Sequence, residues 1–476
     1  LAIAITRTVV RPLERFVLAL EAAAKIPDLG KIISEQNSIK FIHSGDMLDG
    51  FPSVLEQFMG FLQMLCLSFA VAIVARAQEP PRLQLGAFGT LGVAASSTHQ
   101  VEYPREVFQP NGTIDQLNGR MDSRLGAQAD VAFSDTVFAT LQLVSKYRYN
   151  GTYMPGITWA DVAWNPVSDL QLRAGRMSFE LFENGMARDV GYSYLWVRPP
   201  TEVFAQIPVA SLDGVDASQR IQLGAKANLT LRVYGGVGYG MVPLWAQNAY
   251  QNVSGGRCLG LNANLQTGPW KVRAAVLQAV IPNEFPGYTT QTVPAFQTFS
   301  TLLQDPQLMS TANEFSIKGA HSRGYGLGVL YHEDPFQLEG YVNRLDYYRF
   351  LAPATTSGYL SMGYRLGAVV PYGMYARAVS KQIQTPYLGA IPQLPYPAAQ
   401  AFASGIATFV QSRNMDQYTW STGLRWDFAD HADLKLQVDR VHARRSPILY
   451  DVEPGYQGQF YVMSAVVDFV FGGGQK

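Results

Sequence analysis

Long and short connections alternate along most of this chain, and few folds permit that. Sixteen segments with period-two alternation run from 83–95 to 459–471. The odd-numbered connections are long: 96–119, 148–156, 178–218, 239–257, 281–322, 349–356, 381–415 and 444–458. The even-numbered ones are short and turn-rich, as in FSDT, NPVSD, AKAN, TGP, HEDP, GAVV and ADHA. Short turns make antiparallel hairpins, whereas parallel strands need a crossover of a dozen residues or more. An even number of strands with one trimmed and one elaborated rim is the signature of a transmembrane barrel. A propeller would show a repeating period, and none is visible.

The faces of the strands agree. In RIQLGAKANLTLRV, Ile221, Leu223, Ala225, Ala227, Leu229, Leu231 and Val233 share one parity, while Arg220, Gln222, Lys226, Asn228, Thr230 and Arg232 share the other. Such dyads mark strands with one apolar and one wet face. Charged residues are 16% of the chain, against about a quarter in soluble domains. Aromatic residues reach 12% and gather at strand ends, as a membrane-interface girdle requires. The net charge of zero gives no general attraction to nucleic acid. The expected fold is all-β, a transmembrane antiparallel β-barrel of about 16 strands. A barrel of that width is too wide for side chains to fill, so water enters it.

The first 77 residues read differently. An apolar run begins at Phe61 and ends on Ala75-Arg76-Ala77, a small-x-small cleavage pattern. Residues 59–77 are therefore expected to be a secretory signal peptide and 78–476 the outer-membrane barrel. No Lys or Arg lies between Met59 and the run, which departs from the usual pattern. Residues 1–58, in which ITRTVVRPLERFVLALEAAAKI has helical periodicity, are read as upstream read-through or an unrelated helical extension, with translation starting at Met59 or Met47. Removing the signal takes Cys66 with it and leaves Cys258, so neither a disulfide nor a cysteine metal site is expected.

QLGAFGTLGV, SRLGAQADVAFSDTVFATLQLVS, VGYSYLWVRPPTEVF, DGVDAS, PYGMYARA and TGLRWDFADHADLKLQVDRV together resemble outer-membrane porins of Gram-negative bacteria, over essentially all of 83–471. The resemblance implies a sixteen-stranded barrel, usually a homotrimer, that passes small hydrophilic solutes by diffusion. It implies further that the third long connection, 178–218, folds into the lumen and narrows it. The charges expected there are Glu180, Glu183, Arg188, Asp189, Arg198, Glu202, Asp213 and Asp216. Some of these carboxylates would face the wall arginines, setting a transverse field at the neck. The wall is expected to carry Arg124, Arg173, Arg220, Arg232, Arg273, Arg365, Arg377 and Arg425, and rings of Arg and Lys favour anions. The implied partners are the lipid bilayer and lipopolysaccharide, further copies of the chain, and the barrel-assembly machinery, which would read the closing strand YVMSAVVDFVF.

Catalytic chemistry finds little support. His43, His99, His321, His332, His431 and His442 make no i, i+4 pair and sit near no cysteine set, so no metal or cofactor is expected. Asp439, His442 and Ser446 could be assembled into a triad, but Asp439 and His442 differ in parity. A substrate-specific channel, and after it a barrel-borne hydrolase, are the alternatives to a diffusion pore.

Overall fold

The computed structural model describes residues 82–472, apart from 179–180, 182–184, 186, 207–208, 210, 245–248, 286, 348–352 and 385. The segments 1–58 and 59–77, Glu180, Glu183 and the last four residues lie outside the described residues. Two compact units divide the chain, Leu1–Arg82 with Ala132–Val137, and Leu83–Val131 with Phe138–Lys476. In the first, Arg82 meets Asp135 at 2.9 Å, and Phe133 N–H donates to the Val137 carbonyl at 2.9 Å, closing the FSDT turn. The second holds nearly all of the sheet.

The strands are β1 (Arg82–Ser96), β2 (Arg124–Ala132), β3 (Val137–Lys146), β4 (Gly156–Val167), β5 (Leu170–Ser178), β6 (Ser211–Leu223), β7 (Ala227–Tyr239), β8 (Met241–Leu244), β9 (Ala249–Asn252) and β10 (Gly256–Thr267). They continue as β11 (Trp270–Val280), β12 (His321–Glu333), β13 (Phe336–Tyr347), β14 (Thr355–Tyr364), β15 (Val369–Ser380), β16 (Asp416–Ala429), β17 (Ala432–Arg445) and β18 (Gln459–Gly472). Among the described residues, sixteen of them form one closed barrel, each beside its sequence neighbours, with β8 and β9 set apart as a separate hairpin. The seam is antiparallel, β1 against β18, in register from Gly86↔Gly472 to Ser96↔Val462. Full closure removes both sheet edges, so every strand finds two partners.

Short turns follow from their residues. Between β10 and β11, Gly268 takes φ +53, a left-handed conformation that tightens the TGP hairpin and suits glycine. The expected pattern of sides holds along the closing strand. Phe460, Val462, Ser464, Val466 and Asp468 are buried on the inner face, while Tyr461 and Met463 stand 45% and 62% exposed on the outer. The same outer parity elsewhere exposes Leu91, Leu125, Leu261, Leu327, Met362, Trp420 and Trp426. Uncovered apolar surface running right round a ring far exceeds the few hundred Å² tolerated in water, so it faces lipid. Aromatic pairs mark the trimmed rim, including Trp270–Tyr331 at 4.7 Å and Phe336–Tyr364 at 5.0 Å.

Two expectations need correction. The third long connection is shorter than 178–218, because β6 already begins at Ser211. Its first half, SLDGVD, carries two acids and a glycine, which hid the alternation that pairing with β5 and β7 enforces. The long connections also contain helices, where no helical period longer than two turns was expected. These are α1 (Thr201–Phe204), α2 (Val293–Leu303), α3 (Gln307–Glu314) and α4 (Pro397–Ser412). In α4 a proline at the first turn starts a small-residue helix whose Ala399, Ala403 and Val410 are buried, so its apolar stripe is too narrow to stand out. Helices α2, α3 and α4 share one apolar cluster around Phe296, Leu308, Phe315 and Ile391. Among the described residues no helix is long and apolar enough to cross a membrane.

Candidate channel constriction

Residues 179–210 leave β5 and re-enter at β6, and their described part packs against the inner faces of β12–β18. The packing begins with aromatic burial. Trp196 is 1% exposed, meets Tyr359 edge-on at 5.3 Å, and donates its indole N–H to Ser361 Oγ at 2.7 Å. Tyr194, Val203 and Phe204 join Tyr341, Tyr372 and Met374 of the wall in the same cluster. Pro199-Pro200 hold the backbone extended ahead of the short α1, lowering the entropy that ordering costs.

Polar clasps fix the register. Arg198, 1% exposed, donates Nη2 to Asp122 at 2.8 Å and Nη1 to Asp439 at 2.8 Å, and also bonds Ser464. It therefore ties the first long connection, the third and the strands β17 and β18 together. Arg105 donates to Asp122 at 2.8 Å, to Tyr194 Oη at 2.6 Å and to the Val197 carbonyl at 3.2 Å. Lys435 donates to the Gly191 carbonyl at 2.7 Å while pairing with Asp468 at 2.9 Å. Arg425 donates to the Tyr192 and Tyr194 carbonyls at 2.9 and 3.2 Å. Gly191 is pressed so closely on Asp468 and Thr90 that a Cβ there would collide with both. Nearer the start of the segment, Lys146 bridges Glu106 and Asp189, each at 2.9 Å, and Arg188 reaches Glu106 at 2.7 Å.

These contacts set the charges. Burial alone would raise the Glu106 carboxyl, but Lys146 and Arg188 outweigh it and hold the group at about 2. Asp122 likewise falls to about 2, because Arg198 and Arg105 more than offset its burial. Asp189 is also held down, by Lys146, Arg188 and Arg124 against the effect of burial. Glu202 goes the other way. Burial raises it, and hydrogen bonds from Thr419 and Gln417 only partly compensate.

The sign of the pH effect follows. Glu106, Asp122 and Asp189 titrate lower when docked than in an undocked segment, where carboxyls titrate near ~4. Their stabilisation is complete above that value and is lost as pH falls through about 2, where Glu106 and Asp122 take up their protons. Glu202, shifted upward, takes up its proton earlier and favours the docked state as pH falls. The three depressed groups outnumber it, so the segment is expected to loosen reversibly between about pH 4 and pH 2. Pore conductance recorded during an acid titration checks this, and a conductance flat from pH 5 to 2 would refute it.

The predicted site residues divide clearly. Arg188, Asp189, Arg198 and Glu202 do lie on the inward segment, but their charges are engaged with the wall and the first connection. They do not stand across the lumen from the wall arginines. Asp213 and Asp216 belong to β6. Asp213 is on the outward parity, bidentate with Arg176 at 2.6 and 2.7 Å. Asp216 points inward and accepts from Arg173 at 2.8 Å and Arg232 at 2.7 Å. Arg124, Arg173, Arg220, Arg232, Arg273, Arg365 and Arg425 share the inward parity. Arg377 does not: it lies outside on β15, paired with Asp416 at 3.1 Å over the Tyr418 ring. Its neighbours Ala376 and Ala378 are the buried inward residues of that strand, and both are small, so the face was easily misassigned.

Sequence reasoning missed Arg105, Glu106, Asp122, Lys146 and Trp196. YPREVF, an ionic pair among bulky apolar residues inside a long connection, was the available signal. Eight places round the ring from β17 lies β7, and on that arc the inward side chains of Ser218, Arg220, Gln222, Asn228, Thr230 and Gln266 are exposed or half-buried. Higher on the same strands Asp216, Arg232, Tyr234 and Asn262 are buried. Near the trimmed rim the inner wall is therefore packed on the β17 side, at Asp433 and Lys435, and polar and exposed on the β7 side. His442 sits on the outer face, stacked on Tyr418 at 4.8 Å, whereas Asp439 points in, so no triad forms from Asp439, His442 and Ser446.

No family model matches the chain, and no curated protein matches it in sequence. Its backbone is similar to that of the anion-selective porin from Comamonas acidovorans, at 12% identity over 82% of this chain and 100% of that one, with a TM-score of 0.47. It is similar also to OmpF of Salmonella typhi in complex with daunomycin, at 12% identity over 82% and 97%, with a TM-score of 0.48. A third likeness is to OmpT of Vibrio cholerae, at 11% identity over 83% and 99%, with a TM-score of 0.46. Identities this low speak at most to fold, and TM-scores below 0.5 add nothing to what the closed strand order establishes.

Proposed function

We propose that the chain is an outer-membrane porin that forms a water-filled channel for passive diffusion of small hydrophilic solutes and ions, assembled as a homotrimer. One observation carries this reading. The closed ring turns apolar side chains outward, while the inward segment is fastened to one arc and the opposite arc presents exposed polar groups near the trimmed rim. A barrel so arranged keeps a narrowed aqueous path beside the docked segment. The export signal at 59–77 and recognition of the closing strand by the assembly machinery belong to the same proposal.

A weak anion preference is the finer part of the reading. Several inward cations already have an acid beside them, as Arg173 and Arg232 share Asp216. Arg220 is exposed on the wet arc and forms no ion pair among the described residues, so it acts on passing ions without a built-in counter-charge. Stepwise conductance of the purified protein in planar bilayers tests the channel, and its absence would end the proposal. In a salt gradient the reversal potential should indicate anions. Arg220→Glu is expected to move it toward cations, whereas Arg377→Glu, on the lipid side, should leave it within error. A shift from Arg377→Glu equal to that from Arg220→Glu would remove the basis for this assignment. Inertness toward esters and peptides would separate the channel from a barrel-borne hydrolase.

A further inference from the structure

The outer face of β14–β18 is unlike the rest of the belt. Cross-strand register lines up Leu360, Tyr375, Trp420, Arg440 and Tyr461 side by side over five strands. The next row toward the trimmed rim is Met362, Gly373, Thr422, Val438 and Met463. Two small residues, Gly373 and Thr422, at the middle of that row leave an open hollow of about 630 Å³ beneath Tyr375 and Trp420, with Arg440 at its edge.

The Arg440 side chain is exposed and makes neither a hydrogen bond nor an ion pair among the described residues. The acid nearest in this register, Asp416, is already taken by Arg377 at 3.1 Å. On the side of the elaborated rim, the row above holds Arg377, Tyr418, His442 and Gln459. A cation on the lipid face is unfavourable unless it reaches the interface or finds an anion. Aromatic side chains flank it, Tyr375 and Trp420 with ring centroids 4.6 Å apart, as at a headgroup boundary.

We propose that this face holds a phosphorylated, multiply acylated lipid of the outer leaflet, its phosphate on Arg440 and an acyl chain in the hollow over Gly373 and Thr422. The inference rests on the reading of the chain as a membrane-spanning barrel. Charge complementarity selects this occupant over a second copy of the chain: an isologous or cyclic contact would bring another apolar belt to Arg440, whereas a phosphate supplies the missing anion.

The test is native mass spectrometry of the purified protein from detergent, incubated with bisphosphorylated lipid A, with its dephosphorylated counterpart, or with lipid A plus millimolar inorganic phosphate. The unmodified protein should retain lipid A, retain the dephosphorylated lipid at least tenfold less, and be unaffected by free phosphate. Arg440→Gln and Thr422→Trp, which respectively remove the cation and fill the hollow, should each lower lipid A occupancy at least tenfold. Both variants should conduct as the parent does, so the channel reading stands or falls on a separate measurement. Equal occupancy in parent and Arg440→Gln would overturn the phosphate assignment, and equal occupancy in Thr422→Trp the acyl seat. A change of oligomeric state in either variant would mean that this face is an interface between copies, and would overturn the proposal.

Discussion

Arg198→Ala should release the inward segment and enlarge the pore, with single-channel conductance rising and becoming noisy. The guanidinium is 1% exposed and serves Asp122 and Asp439 at once, at 2.8 Å each. Removing it leaves Asp439 without a cation in a dry site and Asp122 with Arg105 alone. Breaking a buried pair from one side costs about 3–5 kcal/mol, mostly through the charge left behind. Only the docked state bears that cost, because an undocked segment lets water reach both acids. Liposome swelling should show larger sugars entering that the parent excludes. Arg198→Lys keeps the charge but cannot fork to two carboxylates, so it should recover only part of the exclusion. An unchanged exclusion limit in Arg198→Ala would show that the segment does not set the pore size.

Trp196→Ala should loosen the same segment through packing. The side chain is fully buried against Tyr359, and truncating a buried aromatic side chain costs about 3–5 kcal/mol. Limited proteolysis should then cut within 179–210 much faster, while the barrel itself keeps its resistance to heat and detergent. Trp196→Phe retains most of the ring contact and loses the bond to Ser361 Oγ, for roughly 1 kcal/mol. Cleavage at the parent rate in Trp196→Ala would show that the segment is held without this anchor. Trp196 and Arg198 act on one docked body, so their double variant should fall short of the sum.

The ring of strands was legible because lipid on one side and water on the other impose a strict period of two on every crossing segment. The closing strand shows this best: its parity assigned Asp468 inward and Tyr461 outward, as found. The parity of β15 was harder, since Ala376 and Ala378 on its inner face are no more polar than its outer residues. The constriction was legible in place but not in contact. The resemblance to porins implied that this connection, near forty residues long, folds back into the lumen. Nothing in the spacing could show that Arg198 would meet Asp122 and Asp439, residues 76 and 241 positions away. Such partners are chosen by the closed ring, which brings remote strands under one loop.

Thr90 bonds Asp468 across the seam, 378 residues apart in sequence, and Gly191 is seated on both of them. The surface that receives the inward segment therefore does not exist until the last strand has met the first. Synthesis of the whole chain precedes that meeting. Topologies dominated by such remote contacts fold slowly and expose unpaired edges meanwhile. This protein must be kept apart from its own copies until the ring shuts, and its pore can acquire its final bore only as the closing act of assembly.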